Sequence, residues 1–127
     1  MVGIVIVSHS QKVAEGAKEL ALQMASDAQI AACGGLKDGS IGTDMEKITD
    51  GINAVMSEDG VIMLVDMGSA IMTSEMAIEM SEDPDKITIV DAPIVESAVY
   101  GAIEASIGSD KEKIIDVLKQ AKVQAKF

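Results

Sequence analysis

Four short apolar runs, each followed by a longer segment with helical periodicity, constrain the fold more than any other feature of this sequence. The runs occupy residues 3–7, 29–33, 61–65 and 87–90. Short runs rich in β-branched residues are typical of strands buried on both faces of a parallel sheet. Strands that alternate with helices are joined by right-handed crossovers, which place helices on both faces. The sequence therefore predicts an α/β fold with a doubly wound, mostly parallel, four-stranded sheet.

The segments between the runs indicate where the first two helices lie. After the first run, the apolar positions that recur every three or four residues are Val13, Ala17, Leu20 and Met24. This spacing predicts an amphipathic helix that buries these side chains. The second helix is predicted to begin at Thr43, which forms a capping box with Glu46. Its buried stripe is predicted to comprise Met45, Ile48, Ile52 and Val55.

Three more helices are expected in the second half of the chain. The third is predicted over residues 70–80, and the fourth begins within residues 91–93, with Pro93 suited to its first turn, and ends at Gly108. The fourth helix is predicted to bury Val95, Ala98, Val99, Ala102 and Ile103. A capping box of Ser109 and Glu112 predicts the start of the fifth helix. The apolar positions of this helix are Ile114, Val117, Leu118 and Ala121, and the tail of residues 122–127 is expected to fray.

Length and charge exclude several classes of protein. The 127 residues suit a single domain over residues 1–127, and the net charge of −11 has the wrong sign for a nucleic-acid or anionic-membrane surface. All ten basic residues are lysine, which excludes mechanisms that need an arginine finger or an arginine fork on phosphate. Because aromatic residues make up only 2% of the chain, stacking platforms for nucleotides or flavins are not expected.

Cysteine use and hydropathy indicate the compartment and the cofactor requirement. The single cysteine, Cys33, cannot form an intrachain disulfide or a zinc cluster and is expected to be a small buried hydrophobic residue. One histidine, one cysteine and scattered carboxylates show no metal-ligand spacing. No signal-peptide pattern and no apolar stretch of about 20 residues is present. We therefore expect a reduced, cytoplasmic protein that binds no membrane, metal or cofactor.

Polar residues stand at the carboxyl ends of the predicted strands, where ligands bind in folds of this class. They are His9, which is the only histidine, then Gly34 and Gly35, Asp66 and Asp91. In the common strand order 2-1-3-4 the first and third strands are neighbours, so Asp66 could reach His9 and orient its ring for nucleophilic attack. Alternatively, Asp66 caps the helix that follows it. The sequence leaves both roles open.

Backbone amides beside His9 could bind an anion. Gly68 and Ser69 stand at the start of the third helix and Ser10 at the start of the first, and helix N-termini bind anions through unpaired N–H groups. A phosphoryl group on His9 could be held there without arginine, although Gly68 and Ser69 also fit an ordinary strand-to-helix turn. The glycine-rich loop of residues 34–42 matches neither a Walker motif nor a dinucleotide fingerprint.

Other functional classes have weaker support. A serine hydrolase would need Ser69, His9 and Asp66 as a triad, but the sequence contains no G-x-S-x-G motif. A receiver domain would carry acidic residues at the end of the first strand, where this chain has serine and histidine. Methionines recur every four residues at positions 72, 76 and 80. Such a stripe is more often part of a core, although flexible thioethers also suit a partner or dimer surface.

Four motifs at the strand ends resemble one known family. They are IVIVSHS at residues 4–10, GGLKDGSIGT at 34–43, DMGSA at 66–70 and APIVE at 92–96. In this order they resemble the DhaM family, the phosphotransferase subunits of phosphoenolpyruvate-dependent dihydroxyacetone kinase, whose domain is related to mannose-type enzyme IIA. The chain departs from the family pattern at Ser97, where glycine is expected, and at Met67, where leucine is expected. Neither departure replaces a group that does chemistry.

The resemblance implies a mannose-type IIA-like fold and a phosphorelay. His9 would take a phosphoryl group from the phosphocarrier protein HPr and pass it to ADP in the ADP-binding subunit of dihydroxyacetone kinase, with Asp66 orienting the ring. The chain would be a homodimer without a cofactor. The residues expected to cradle the phosphate are Ser10, Gly68 and Ser69. The candidate partner-docking residues are Gly35, Lys37, Met67 and Met72.

Two other functions are compatible with the same residues. A mannose-type sugar carrier would pass its phosphoryl group to a membrane-associated transporter component. A regulatory module would instead change its affinity for a transcription factor or a metabolic enzyme when His9 is phosphorylated, without passing the phosphate on. The acceptor of the phosphoryl group distinguishes these three functions.

Overall fold

The strands and helices alternate along the chain, as the apolar runs predict. The computed structural model describes residues 1–127. The elements, in chain order, are β1 Gly3–Ser8, α1 Gln11–Met24, β2 Ile30–Gly34, α2 Met45–Val55, β3 Val61–Val65, α3 Ser69–Glu79, a short 3-10 turn Pro84–Lys86, β4 Ile87–Val90, α4 Ile94–Ser106 and α5 Lys111–Val123. None of the helices is long and apolar enough to cross a lipid bilayer.

The four strands form one parallel sheet in the order β2-β1-β3-β4, which confirms the predicted topology. Strand β1 lies in the middle, and Val7 is paired with Cys33 of β2 on one side and with Val65 of β3 on the other. The carboxyl ends of β1 and β3 are therefore level with each other. This register places the residue after each strand, His9 and Asp66, at the same edge of the sheet.

Helices cover both faces of the sheet and create two separate hydrophobic cores. On one face, α1, α4 and α5 pack over the side chains of Ile4, Ile6, Ile62 and Leu64. On the other face, α2 and α3 pack over Val5, Val7, Val61 and Met63. Because alternate side chains of a strand point to opposite faces, both faces of the central strands must be apolar, as observed for residues 4–7 of β1 and for all of β3.

The apolar stripe predicted for α1 is wrong at three of its four positions. Ala17 is buried, but Val13 and Leu20 are each 47% exposed and Met24 is 60% exposed. The buried face is formed by Ala14, Ala17 and Ala21, which pack against α4. A close approach of two helices requires small residues at the contact, so the larger apolar side chains lie beside the interface and reach the surface.

The facing helix, α4, differs from the prediction for the same reason. Val95 is exposed, and Val99 and Ile103 are only partly buried. The buried residues are Ser97, Ala98, Gly101, Ala102 and Ala105. Pro93 is the N-cap of this helix rather than a residue of its first turn.

Two helices begin one residue later than the predicted capping boxes. The N-cap of α2 is Asp44, whose carboxylate accepts from the N–H groups of Glu46 and Lys47, and not Thr43. The N-cap of α5 is Asp110, which accepts from Lys113, and not Ser109. Aspartate caps a helix at least as well as serine or threonine, which frees the preceding hydroxyl for another partner.

Candidate functional site

The site lies at the edge of the sheet where β1 and β3 end. The side chain of His9 is 27% exposed and that of Asp66 is 21% exposed. The Nδ1 atom of His9 lies 3.0 Å from Oδ1 of Asp66. The structure thus brings together the two residues that the strand order was expected to make neighbours.

Asp66 accepts hydrogen bonds from groups of β1 as well as from its own strand end. Its Oδ2 atom accepts from the Ser8 hydroxyl at 3.0 Å and from the His9 backbone N–H at 2.9 Å. Its Oδ1 atom accepts from the Met67 N–H at 2.7 Å. Asp66 therefore interacts with Ser8, His9 and Met67 and does not cap α3, whose N-cap is Gly68.

These hydrogen bonds keep Asp66 ionised. Partial burial by itself raises the pKa of this carboxyl group. The hydrogen bonds from the backbone N–H groups of His9 and Met67, from the His9 ring and from the Ser8 hydroxyl outweigh burial and hold the pKa of Asp66 below its ordinary value of 3.8. At neutral pH Asp66 is thus a pure acceptor, and the ring nitrogen that faces it carries the proton.

The tautomer of His9 follows from this contact. With the proton on Nδ1, the Nε2 atom of the neutral ring has a free lone pair. The Ser69 hydroxyl lies 2.9 Å from Nε2, and it must be the donor because Nε2 carries no hydrogen. Nε2 is therefore the nitrogen that points away from Asp66 and is available to an electrophile once the hydroxyl turns aside.

A row of hydroxyl groups continues from Ser69. The Thr43 hydroxyl donates to Oγ of Ser69 at 3.1 Å, and it lies 3.4 Å from the hydroxyl of Thr73. Sequence reasoning assigned Thr43 to a helix cap and did not place it in this site. The one available signal was its position at the end of the motif GGLKDGSIGT.

The two helices that begin at this edge present their N-termini differently. At α3, Gly68 adopts φ +53°, has no side chain to cap the helix, and its N–H and that of Ser69 make no hydrogen bond within the chain. At α1, the oxygen of Ser10 caps the helix by accepting from the Val13 N–H. Ser69, whose hydroxyl contacts Nε2, therefore also carries one of the unpaired N–H groups that begin α3.

The glycine-rich loop is fastened to the end of β1. The Gly35 N–H donates to the Ser8 carbonyl at 3.1 Å, and the Gly42 N–H donates to the His9 carbonyl at 2.9 Å. Gly35 has φ +69°, so its place in the turn favours glycine. Lys37, at the exposed tip of the loop, forms an ion pair with Glu46, whose hydrogen bond raises the pKa of Lys37.

The methionine side chains of α3 are on the surface and not in the core. Met72, Met76 and Met80 are 68%, 53% and 77% exposed, and Met67, beside Asp66, is 66% exposed. Of the two interpretations that the sequence left open, the structure favours a surface stripe. A run of exposed thioethers is a suitable contact surface for a macromolecule.

The triad that a serine hydrolase would need is connected in the order Asp66, His9, Ser69. The oxyanion hole of such enzymes, however, uses the N–H of the residue after the nucleophile. Here that residue is Ala70, and its N–H donates to the carbonyl of Met67 at 3.1 Å. The connectivity therefore supplies a polarised nucleophilic ring without the donor that acyl transfer requires.

The remaining candidate residues lie outside the site. Cys33 is buried under α2, and burial raises the pKa of its thiol to about 11, which makes it unreactive. Asp91 is exposed at the end of β4 and pairs with Lys122. No group of three or more His, Cys, Asp or Glu side chains is placed to hold a metal.

No cavity encloses the His9 ring. The largest cavity, of about 740 Å³, lies along the outer edge of β2 and is lined by residues such as Lys18 and Asp50. None of the five cavities of the molecule is lined by His9, Asp66 or Ser69. The His9 side chain is 27% exposed, so the ring is partly accessible from the surface of the molecule.

Comparison with known proteins gives a consistent result. Residues 3–115 match the family model EIIA-man, described as PTS system fructose IIA component. The chain is 39% identical over 121 residues to a protein of Listeria innocua named PEP-dependent dihydroxyacetone kinase 2, phosphoryl donor subunit DhaM, and this match covers 93% of the chain and 97% of the relative. It is 32% identical over 122 residues to the phosphotransferase subunit DhaM of a PTS-dependent dihydroxyacetone kinase of Lactococcus lactis, with 96% and 97% coverage.

The length of the relatives differs. The Escherichia coli phosphoryl donor subunit DhaM is 39% identical over 121 residues, which cover 91% of this chain but only 26% of that protein. Among solved structures, a protein of unknown function called EF1359 has a TM-score of 0.85 and 36% sequence identity, with 97% and 96% coverage. A sigma-54 interaction domain protein from Enterococcus faecalis has a TM-score of 0.72 at 17% identity over 93% of this chain and 87% of that one, which shows a shared fold alone.

Proposed function

This chain belongs to the EIIA-man family, and we propose that it is a phosphoryl donor subunit that carries a phosphoryl group on His9 for a dihydroxyacetone kinase. The observation that carries the proposal is the state of the His9 ring, whose Nδ1 contacts ionised Asp66 while Nε2 contacts only the hydroxyl of Ser69. The names of the relatives from Listeria and Lactococcus support the kinase as the system served.

Nε2 is the nitrogen that would be phosphorylated. Its lone pair attacks the phosphorus of the donor, the bond from phosphorus to the donor's leaving atom breaks, and that atom keeps the electron pair. The ring of His9 then bears a positive charge, because the proton on Nδ1 stays in place. Asp66, 3.0 Å away, stabilises this charge. Because Nδ1 keeps its proton, the imidazole is a good leaving group in the next transfer.

The phosphoryl group would be held by the start of α3. When phosphorus occupies the space in front of Nε2, the Ser69 hydroxyl can turn and donate to a phosphoryl oxygen. The N–H groups of Gly68 and Ser69 are free of other partners and lie at the positive end of the helix dipole. This arrangement stabilises a dianion without arginine. Ser10, the cap of α1, would contribute through its remaining O–H.

Two protein partners are part of the proposal. HPr would supply the phosphoryl group, and ADP bound in a kinase subunit would receive it, so that ATP is regenerated there. Transfer between proteins agrees with a reactive ring that stands outside every cavity. The net charge of −11 suits a partner with a basic contact surface. The proposed docking residues Lys37, Met67 and Met72 have exposed side chains, which leaves them available to such a partner.

The homodimer expected for this family is also a proposal. Two apolar surfaces are available for a second copy or a partner, the stripe of Val13, Leu20 and Met24 on α1 and the methionines of α3. Sedimentation of the purified chain would give the mass of a dimer. A monomer at micromolar concentration would contradict this part of the proposal without affecting the phosphorelay.

The function is tested by transfer between purified components. Incubation with phosphorylated HPr should give an acid-labile, base-stable phosphate on the wild-type chain and none on His9→Ala. A kinase subunit preloaded with ADP should then remove the label and form ATP. Labelling that survives the His9 substitution would overturn the proposal, and label that is never passed to ADP would favour a regulatory module.

A sugar carrier is the second candidate, because the family model is described as a fructose IIA component. The same phosphorylated chain would then pass its label to a sugar-transporter component and not to ADP. Offering both acceptors in parallel to one labelled preparation separates the two functions.

A further inference from the structure

We propose that Thr43 is a positioning residue for His9. Thr43 acts through the Ser69 hydroxyl and so links the glycine-rich loop to Nε2 of His9. The proposal rests on the proposed function for its consequence in phosphoryl transfer. Its physical basis is the row of hydroxyl groups that ends at Nε2, and it can be measured on the unphosphorylated ring as well.

The direction of every hydrogen bond in the row is fixed from its charged end. Asp66 is an acceptor only, so Nδ1 of His9 donates to it and Nε2 accepts. Ser69 must then give its single hydrogen to Nε2 at 2.9 Å. The oxygen of Ser69 can accept a further bond, and Thr43 provides it at 3.1 Å. All donors in the row therefore point toward Asp66.

Thr43 has two effects on Ser69 in this arrangement. It occupies a lone pair of Oγ, which leaves the Ser69 hydrogen directed at His9, and it polarises the Ser69 O–H, which becomes a better donor. In the resting state the Ser69 hydrogen covers the lone pair of Nε2. In the phosphorylated state the same hydroxyl, still bonded to Thr43, would donate to a phosphoryl oxygen.

The position of Thr43 is itself determined from both sides. Gly42, the preceding residue, donates its N–H to the His9 carbonyl at 2.9 Å. Asp44, the following residue, caps α2 and so fixes the point where the loop ends. The Thr43 side chain also lies 3.4 Å from the Thr73 hydroxyl on α3. A change in the loop that moves Thr43 would thus alter the hydrogen bond from Ser69 to Nε2, although the loop side chain does not contact the His9 ring.

The test compares Thr43→Val, which removes the hydroxyl and keeps the shape, with Thr43→Ser, which keeps the hydroxyl. Two quantities are measured on each purified chain. The first is the rate at which diethyl pyrocarbonate modifies His9. The second is the lifetime of phosphohistidine formed with the small donor phosphoramidate, which needs no protein partner. Thr49→Val, on the exposed side of α2, is the matched control.

Thr43→Val should raise the modification rate and shorten the phosphohistidine lifetime, each by about threefold to tenfold, the effect of one lost hydrogen bond. Thr43→Ser should restore both, and Thr49→Val should change neither. In a Ser69→Ala background, Thr43→Val should have no further effect, because the row is already broken. If Thr43→Val acted by loosening the fold in general, its effect on both measurements would remain in the Ser69→Ala background.

The proposal is overturned if Thr43→Val behaves like the wild type in both measurements, or if its effect is as large without the Ser69 hydroxyl. Its failure differs from failure of the proposed function. If HPr never labels the wild-type chain, the function is wrong, yet the diethyl pyrocarbonate rates of the same variants still decide the role of Thr43.

Discussion

Two aspartates stand just before helices on the same face of the sheet, and they do different work. Asp44 is adjacent to α2, and its carboxylate accepts from the N–H groups of Glu46 and Lys47. Asp66 is three residues ahead of α3 and accepts from Ser8, the last residue of the neighbouring strand, and from His9, which follows it. Both helices have 11 residues, but one N-terminus is covered by a carboxylate and the other is open.

The difference shows how a fold can keep a helix end free for an anion. A carboxylate at the N-cap satisfies the first amides and cancels part of the helix dipole. With Asp66 directed at His9 and glycine at position 68, the amides that begin α3 have no acceptor of their own. A transferred phosphoryl group can supply that acceptor. The contrast between Asp44 and Asp66 predicts which substitutions affect transfer and which affect only stability.

The largest effect is expected for Asp66→Asn. An amide in place of the carboxylate no longer fixes the proton on Nδ1 of His9 or stabilises the charged ring, and comparable changes in catalytic triads cost about 10⁴-fold in rate. We expect the initial rate of His9 labelling to fall by about 10³-fold to 10⁴-fold. Asp44→Asn is the matched control and should label normally. Equal losses in the two variants would show that the carboxylates are not functionally different.

The next effect tests the open end of α3 by making it resemble α2. Gly68→Asp would place a carboxylate beside the phosphoryl site, and we expect labelling to fall by about 10-fold to 100-fold relative to Gly68→Ala. The alanine variant separates charge from backbone strain, because at φ +53° any side chain costs about 1–3 kcal/mol although the surrounding space is empty. Equal labelling of the two variants would exclude a phosphoryl group at this helix end.

A smaller effect, on stability alone, is expected at the closed end. Asp44→Ala removes the acceptor for two helical N–H groups and should lower the free energy of unfolding by about 0.5–2 kcal/mol. Urea denaturation followed by circular dichroism measures this change. Labelling of the folded variant should match the wild type, and reduced labelling would mean that α2 also contributes to transfer.

The smallest effect is expected for the pH dependence of the contribution that Asp66 makes to the free energy of unfolding. Its pKa is lowered in the folded chain from the ordinary 3.8, so its hydrogen bonds stabilise the fold above that value and this contribution disappears as the pH falls through the folded-state pKa. The difference in unfolding free energy between the wild type and Asp66→Asn should therefore shrink as the pH is lowered from about 5 to about 2. A difference that is constant over this interval would contradict the lowered pKa.

The sheet could be anticipated because its strands depend on local patterns, whereas contact with His9 was one of two roles that the sequence left open for Asp66. The apolar runs define the strands, and the strand order then brings the ends of β1 and β3 together. Helix faces were harder to predict. The pattern of large apolar residues indicated that Val13, Leu20 and Met24 are buried, but the contact of α1 with α4 requires alanine, and these three side chains are exposed.

Hydroxyl groups were the least predictable from sequence. The sequence predicted capping boxes that begin at Thr43 and Ser109, yet the N-caps are Asp44 and Asp110. The freed hydroxyls bond to partners 26 and 5 residues away, Ser69 and Glu104. A hydroxyl group fits several partners almost equally well, so the choice depends on which acceptor the fold brings within 3 Å.

The sequence by itself determined the parallel α/β architecture and the presence of a single histidine at a strand end, since both follow from the order of residues along the chain. Only the tertiary structure decided that Asp66 serves His9 and not α3, that Nε2 is the free nitrogen, and that Thr43 belongs to the site. These three facts depend on distances between residues far apart in sequence. Hydrogen bonds are directional and short in range, so they are fixed only after packing has set those distances.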